Sequence, residues 1–399
     1  MIDVAIIGGG PAGVAAALVL RARGIARVAI FEREASLGGV PRHCGHPPFG
    51  MREFGAVLTG PAYARRLAAA ARAAGVEIYC GHSVVGLLPG GGLDVVTQQN
   101  HFALRALRVL LATGAREAPR AARLLGGDRP QGVLNTGALQ AALYLQNMVP
   151  FRRPVVVGSE LVSLSALATC RRHGISPVAM LEPGRRPVAR WPLTLLPRLL
   201  RVPLHLRADI AEIRGGATVE SVLLHDGRAI QCDGVLLTGC FVPEASLARM
   251  GHLAMDAGTG GPAVDQYGRC SDGAYFAAGN MLRGIETAGW SFREGAAIAQ
   301  YITDDLCGGL PHGGEAVAVV CGAGLKYALP QRLARVTRLR GVLQLRVSAA
   351  VRGQLCVRAG EAVLYRRHLT ALPERRILIE LENIRLPPGV AQITVEILA

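Results

Sequence analysis

The sequence predicts an α/β chain: two three-layer domains on open parallel sheets, the second inserted into the first, followed by a small all-β domain. Three observations carry this expectation. The chain opens on an apolar strand that runs into Gly8-Gly9-Gly10-Pro11-Ala12-Gly13 and then a helix. The same order of strand, turn and helix returns at Val155-Val156-Val157-Gly158-Ser159-Glu160-Leu161-Val162-Ser163. From Ala316 onward the pattern changes to apolar–polar alternation at period two, with Gly and Pro turns between the runs. The expected segments are 1–118 for the first part of the first domain, 119–245 for the insertion, 246–312 for the return to the first domain, and 313–399 for an antiparallel β domain serving assembly.

Composition narrows the function classes. At 399 residues, half of them hydrophobic, the chain can bury two or three cores and is too apolar for disorder. No apolar run reaches membrane-spanning length. A strand beginning at Ile2 leaves no room for a signal or transit peptide, so a cytoplasmic location is expected. Any contact with the inner membrane is then peripheral and made through a larger complex. The net charge of +15 is carried by arginine, with Lys326 the only lysine. These arginines are spread along the chain and aromatics are scarce, so no nucleic-acid partner is expected; subunit interfaces are the preferred use. The nine cysteines form no C-x-x-C and no His/Cys cluster with ligand spacing. They read as reduced, mostly buried thiols, with no metal site and no redox disulfide.

In the first fold, Gly8 permits the tight turn, Gly10 lets the backbone approach a pyrophosphate, and Gly13 lets the helix pack close to the sheet. The helix, read over Pro11–Arg23 and stopped by Gly24, offers free N–H groups and a positive dipole end to phosphate. A second strand, Val28–Glu32, ends in an acid placed to accept ribose hydroxyls. Arg33 and the pair Gly38-Gly39 follow. Later come a buried strand ending Ala112-Thr113-Gly114 and another, from Ala274, ending Gly279-Asn280.

This set resembles the two-dinucleotide-binding-domain flavoproteins, the superfamily of glutathione reductase and thioredoxin reductase. The resemblance covers about residues 1–310 and implies two Rossmann-like folds, the first binding FAD. It assigns to the FAD site Gly8, Gly10, Pro11, Ala12, Gly13, Glu32, Arg33, Gly39, Arg42, His43, Val84, Thr113, Gly114, Gly279, Asn280, Thr287 and Ala288. The family normally has an acid where Asn280 stands; an amide still hydrogen-bonds, with one negative charge fewer. A helix after Asn280, running to about Asp304, is implied to point its N-terminus at the pyrimidine end of the flavin, where reduction places negative charge.

The run from Gly38 to Tyr63 is the least generic. Where disulfide reductases of the family carry a cysteine pair, only Cys44 is present. A lone thiol beside a flavin can cycle through a sulfenate, with His43 and His46 lowering its pKa. Cys44 and His46 are therefore the candidate catalytic pair, and packing next to the isoalloxazine is the preferred use of the thiol. The runs Gly45-His46-Pro47-Pro48-Phe49-Gly50 and Leu58-Thr59-Gly60-Pro61-Ala62-Tyr63 resemble a narrower group. These are the FAD-binding subunits of heteromeric opine oxidase, hydrogen cyanide synthase and dye-linked proline or hydroxyproline dehydrogenases. That resemblance implies two partners: a second, amino-acid-oxidase-like FAD subunit, and a small [2Fe–2S] protein holding the only cluster.

The second fold keeps its strands and helix, Pro154–Val157, Leu161–His173 and Pro177–Glu182, and loses its loop: Glu160 and Ser163 stand where the later glycines belong. Two unit charges ~4 Å apart cost about 4 kcal/mol at an effective dielectric near 20, roughly a thousandfold in affinity. No NAD(P) is expected there. The arginine- and leucine-rich run Arg185–Arg207 has the composition of a membrane-surface segment. Its prolines interrupt any long helix, and the family resemblance implies a short helix and a strand there instead. In the tail, 342–347, 354–358, 377–381 and 392–397 are expected strands. The combined reading is an FAD subunit relaying electrons from a substrate oxidised at a partner flavoprotein. A stand-alone single-cysteine NAD(P)H oxidoreductase and an FAD-bound scaffold are the alternatives.

Overall fold

The computed structural model describes residues 2–311 and 316–398. The expected boundary at 312/313 lies outside them. The chain forms two compact units, Met1–Gly39, Arg65–Ala115 and Pro243–Ala399 in one, Val40–Ala64 and Arg116–Val242 in the other.

The first unit is built on β1 (Ile2–Ile7), whose residues are buried on both sheet faces apart from Asp3. It pairs in parallel with β2 (Val28–Glu32) on one side and with the strand His101–Leu111 on the other. Glu77–Cys80 extends the sheet beyond β2, and Tyr275–Ala277 pairs in parallel with 109–111. The strand His101–Leu111 serves two sheets. Its second half lies beside β1, and its first half joins an antiparallel meander with Gly92–Val96 and Ser83–Leu88. Helix α1 (Pro11–Ala22) buries Ala12–Ala17 and Leu20. Small side chains let it lie close to the helix Ala288–Leu306: a Cβ on Gly295 would meet the Ala12 carbonyl oxygen at 2.1 Å.

The tail belongs to this same unit. Its strands form two sheets, ordered 332–334, 316–321, 392–398, 351–359, 362–371 and 325–329, 342–347, 377–380. Val317, Leu343, Leu345, Leu355, Ile393 and Val395 are among the side chains buried between them. Two expectations change here. The sheets are not wholly antiparallel, because Ala316–Cys321 pairs in parallel with Gln392–Leu398. Nor does the tail stand apart: Gln331 Oε1 accepts from Val264 N at 3.0 Å, and Gln266 Oε1 accepts from Ala334 N at 2.8 Å.

The second unit repeats the plan. Five parallel strands are ordered 204–206, 179–182, 154–157, 234–237, 133–135, and the antiparallel strands Ile210–Arg214, Ser221–Leu224 and Ala229–Gln231 add a meander. The helix Leu161–Arg172 buries Leu164, Ala166, Leu167 and Cys170. The segment 40–64 packs here, where continuous placement with residues 1–39 was expected. The reason is local. The Tyr144 ring lies against Gly45, whose carbonyl accepts from Arg172 Nη1 at 3.1 Å.

Candidate cofactor site

Three separate stretches of sequence converge on the first glycine turn. Gly8 has φ +107°, and a Cβ there would meet the Ala112 carbonyl oxygen at 2.5 Å, so the end of the Ala-Thr-Gly strand lies directly behind the turn. Gly279 sits over Ala12, where an added Cβ would come within 2.9 Å of the Ala12 Cβ. Gly39 approaches Gly10 backbone to backbone, 3.0 Å from an added Cβ to the Gly10 Cα. At Gly13 the cradle is closed: a side chain would strike the Gly8 carbonyl at 2.0 Å.

The helix N-terminus in this cradle is not self-capped. Gly10 makes no side-chain capping bond, Pro11 fills the first helical position, and the first turn carries no acid. Its free N–H groups and dipole therefore remain available to a pyrophosphate. Glu32, buried at the end of β2, accepts from Gly9 N at 2.9 Å with one oxygen and from Glu34 N at 3.0 Å with the other. Each oxygen keeps a lone pair for a ribose hydroxyl. The donors, the acid and the glycine surfaces fit FAD, as the motifs imply.

The remaining expected residues take varied positions. Arg33 is exposed beside Glu34, at 3.6 Å. Val84 pairs with Val95 and packs on the core. Thr113 Oγ1 donates to the Glu244 carbonyl at 2.7 Å, leaving Gly114, with open space around its Cα, as the accessible part of that motif. Asn280 is more occupied than expected: its Nδ2 donates to the Glu286 carbonyl at 3.1 Å and its Oδ1 accepts from Glu286 N at 2.7 Å. The amide thus holds the 280–286 loop. Thr287 caps the helix that starts at Ala288, and no acid lies in that helix's first turn. Arg42 and His43 form a short turn with Val40 and Pro41 in the second unit.

Sequence reasoning missed the residues that brace this cradle. Glu294 Oε2 accepts from Gly279 N at 2.8 Å and from the fully buried Arg283 at 2.9 Å. Gly295 allows the helix crossing. An isolated glycine within a helical pattern was the available signal for it.

Cys44 departs from the activated-thiol expectation. Its Sγ faces Gln140 Oε1 at 3.3 Å and the Val40 carbonyl at 3.5 Å. Burial, and secondarily the Glu117 carboxylate, push the thiol up to about 12. The histidines do not lower it; His46 Nδ1 lies 3.0 Å from the Pro47 carbonyl, and its ring packs against Phe49. A thiol with this pKa is neutral at pH 7 and a poor nucleophile.

The second loop shares the backbone of the first but not its chemistry. Gly158 has φ +111°. Glu160 is the helix N-cap, and with Ser163 it forms a reciprocal capping box. Ser163 Oγ accepts from Glu160 N at 3.1 Å and donates to Glu160 Oε2 at 3.0 Å. The carboxylate lies over both Gly158 and Gly239, where an added Cβ would meet its oxygens at 2.6 and 2.3 Å respectively. Glu182, the counterpart of Glu32, accepts from the Ser159 hydroxyl and from Gly184 N.

Such a protein is an FAD-dependent oxidoreductase of two-fold design, and the chain belongs to the pyridine nucleotide-disulphide oxidoreductase family, whose model matches residues 2–295. Among curated proteins it is 31% identical over 339 residues to the ferredoxin–NAD(+) reductase component of the biphenyl dioxygenase system of Paraburkholderia xenovorans (strain LB400), covering 77% of this chain and 73% of that one. It is 28% identical to sarcosine oxidase subunit alpha of Rhizobium meliloti (strain 1021), of which it spans only 31%. Among solved structures, L-proline dehydrogenase from P. horikoshii aligns with a TM-score of 0.60 at 23% identity, over 77% of this chain and 56% of that one. Thioredoxin reductase from T. acidophilum aligns with a TM-score of 0.63 at 22% identity, over 76% and 98%. These two structures share the fold. Among the described residues no helix is long and apolar enough to cross a membrane.

Proposed function

We propose that this chain is the FAD-binding relay subunit of a heteromeric dehydrogenase that oxidises an amino acid, imino acid or opine at a partner flavoprotein. The observation that carries the reading is Glu160. Its carboxylate occupies the helix N-terminus at which a nicotinamide dinucleotide would place its pyrophosphate, and the capping box with Ser163 holds it there. Bringing a phosphate against this carboxylate costs about 4 kcal/mol at ~4 Å and an effective dielectric near 20. With Cys44 alone and its thiol neutral, dithiol exchange is unsupported as well. One relative is a subunit of a sarcosine oxidase and one structural neighbour is a proline dehydrogenase, and both agree with the proposed substrate class.

FAD supplies the electron-accepting and electron-returning chemistry when bound. The chain's own residues hold and tune it. The α1 N-terminus and the Gly8–Gly13 backbone take the pyrophosphate, and Glu32 takes the ribose. The uncapped-by-acid start of the helix Ala288–Leu306 favours negative charge on the ring system. In this proposal the electrons come from the second FAD subunit and leave through a small [2Fe–2S] protein.

The test is anaerobic titration of the purified flavoprotein. Excess NADH or NADPH is expected to leave the bound flavin oxidised. Addition of the partner flavoprotein with its substrate is expected to reduce it. Rapid bleaching by NADH alone overturns the relay reading in favour of the stand-alone oxidoreductase, a reading that the ferredoxin–NAD(+) reductase relative keeps in view. A flavin that stays oxidised in the complete, turning-over complex points to a scaffold.

A further inference from the structure

The segment after Glu182 folds as the family resemblance implied, with a short helix Leu196–Leu199 and a strand Leu204–Leu206. Its side chains do something that this economy of structure does not explain. Trp191 is 79% exposed, Leu199 73%, Leu193 49% and Leu195 44%. Leu196, Leu200 and Leu204 in the same stretch turn inward onto the core, so the segment is two-faced rather than unfolded. Between Glu182 and Asp209 the sequence holds six arginines, 185, 186, 190, 198, 201 and 207, and no acid. All six are exposed. The segment is anchored on the eroded loop: Val188 N donates to Ser159 Oγ at 2.9 Å and Ala189 N to the Ser159 carbonyl at 3.0 Å. Leu161, at the start of the helix that follows that loop, is also exposed.

We propose that Arg185–Arg207 is a docking surface for an anionic lipid bilayer, made by this chain directly. Charge complementarity and the kind of apolar residue select this occupant. An indole and three leucines within nine positions supply the side chains that settle among headgroups and upper acyl chains. Guanidinium groups on both sides of them match lipid phosphates bidentately. The uniform sign of the segment suits a surface that is negative everywhere; a folded protein partner presents both signs. The inference does not depend on how electrons reach the flavin.

The experiment uses the full chain with FAD bound and vesicles of equal parts phosphatidylglycerol and phosphatidylcholine, against phosphatidylcholine alone. The protein is expected to co-sediment with the anionic vesicles only, with binding that weakens as salt rises. Trp191 and Trp290 are the only tryptophans, so in a Trp290→Phe background the emission of Trp191 should shift to the blue on binding. Arg190→Gln with Arg198→Gln should weaken partitioning about 30-fold, from roughly 1 kcal/mol per arginine. Trp191→Ala with Leu199→Ala should remove the apolar contribution, while Arg366→Gln with Arg367→Gln, exposed in the C-terminal sheet, should change little. Retained flavin absorbance confirms that each variant is folded. The proposal is overturned by absence of binding at low salt, by equal losses in the C-terminal control, or by full binding after the Trp191 and Leu199 changes. Binding to immobilised polyglutamate without binding to vesicles also overturns it, and assigns the surface to an acidic protein.

Discussion

At the level of single residues, Cys44 and Glu160 carry the proposed electron route. The Cys44 thiol is raised from an ordinary 9.0 to about 12 by burial, and Cys170 is raised to about 12 for the same reason. Alkylation of the folded protein at pH 7 should therefore spare both while labelling the exposed Cys240 and Cys307, as peptide mapping by mass spectrometry would show. The sign of the stability effect follows. Unfolded thiols lose protons near pH 9 and folded ones near 12, so the folded state binds more protons between these values. The contribution is complete below pH 9 and is lost as pH climbs toward 12, read as a falling denaturant midpoint. Loss of the two glycines at Glu160 and Ser163 was legible in the sequence. That the two residues close on each other as a cap was not, because it depends on rotamers and on Thr238, distant in sequence and just past the strand Gly234–Leu237, whose Oγ1 lies 2.5 Å from Ser163 Oγ. Replacing Glu160 by Ala should cost about 1 kcal/mol of stability as a lost cap. Glu160→Gly with Ser163→Gly should strengthen NADH binding by at least tenfold, measured by calorimetry.

At the level of elements, the parallel strands were the most legible. Val28–Glu32 and Pro154–Val157 have the bounds that their continuous apolar runs indicate. The strand ending in the Ala-Thr-Gly motif extends back to His101 because its first half pairs with Gly92–Val96, a partnership that no local pattern announces. In the tail, Ala362–Ala371 was missed: it is exposed over most of its length and carries Arg366, Arg367 and His368, so alternation is weak. The helix crossing was equally hidden. Gly295 looks like an unfavourable residue in the interior of Ala288–Leu306 until its contact with Ala12 is seen. Gly295→Ala improves helix propensity by about 1 kcal/mol, yet the contact at 2.1 Å is with backbone and cannot yield cheaply. The net effect should be destabilising by about 1–3 kcal/mol, with part of the FAD lost on gel filtration because the crossing also seats Gly279 beside the glycine turn. A variant with unchanged melting temperature and full flavin content would contradict this.

At the level of the whole chain, the β-rich tail was expected to serve assembly, and its bonding suggests a further role within the FAD unit. Glu286, whose side chain is 6% exposed, accepts from Arg346 Nη2 and Gln344 Nε2 at 3.1 Å each and pairs with Arg376. All three partners come from the tail, while the backbone of Glu286 is held by Asn280. The tail thereby fixes the loop that leads from the Gly279 turn into the helix Ala288–Leu306. Arg376 also lies over the Trp290 ring, 3.6 Å from its centroid. Glu286→Gln should leave two part-buried guanidinium groups without their carboxylate, at a cost of about 2 kcal/mol, and should slow flavin rebinding while the fold survives. Ending the chain at Leu310 is the stronger test. It strips Leu329 from the core that holds β1 and Tyr275, and it frees the 280–286 loop. The truncated protein should retain little FAD and should aggregate, as flavin absorbance per chain and light scattering would record. A truncated protein that kept its flavin and lost only its partners would show instead that the tail serves assembly alone.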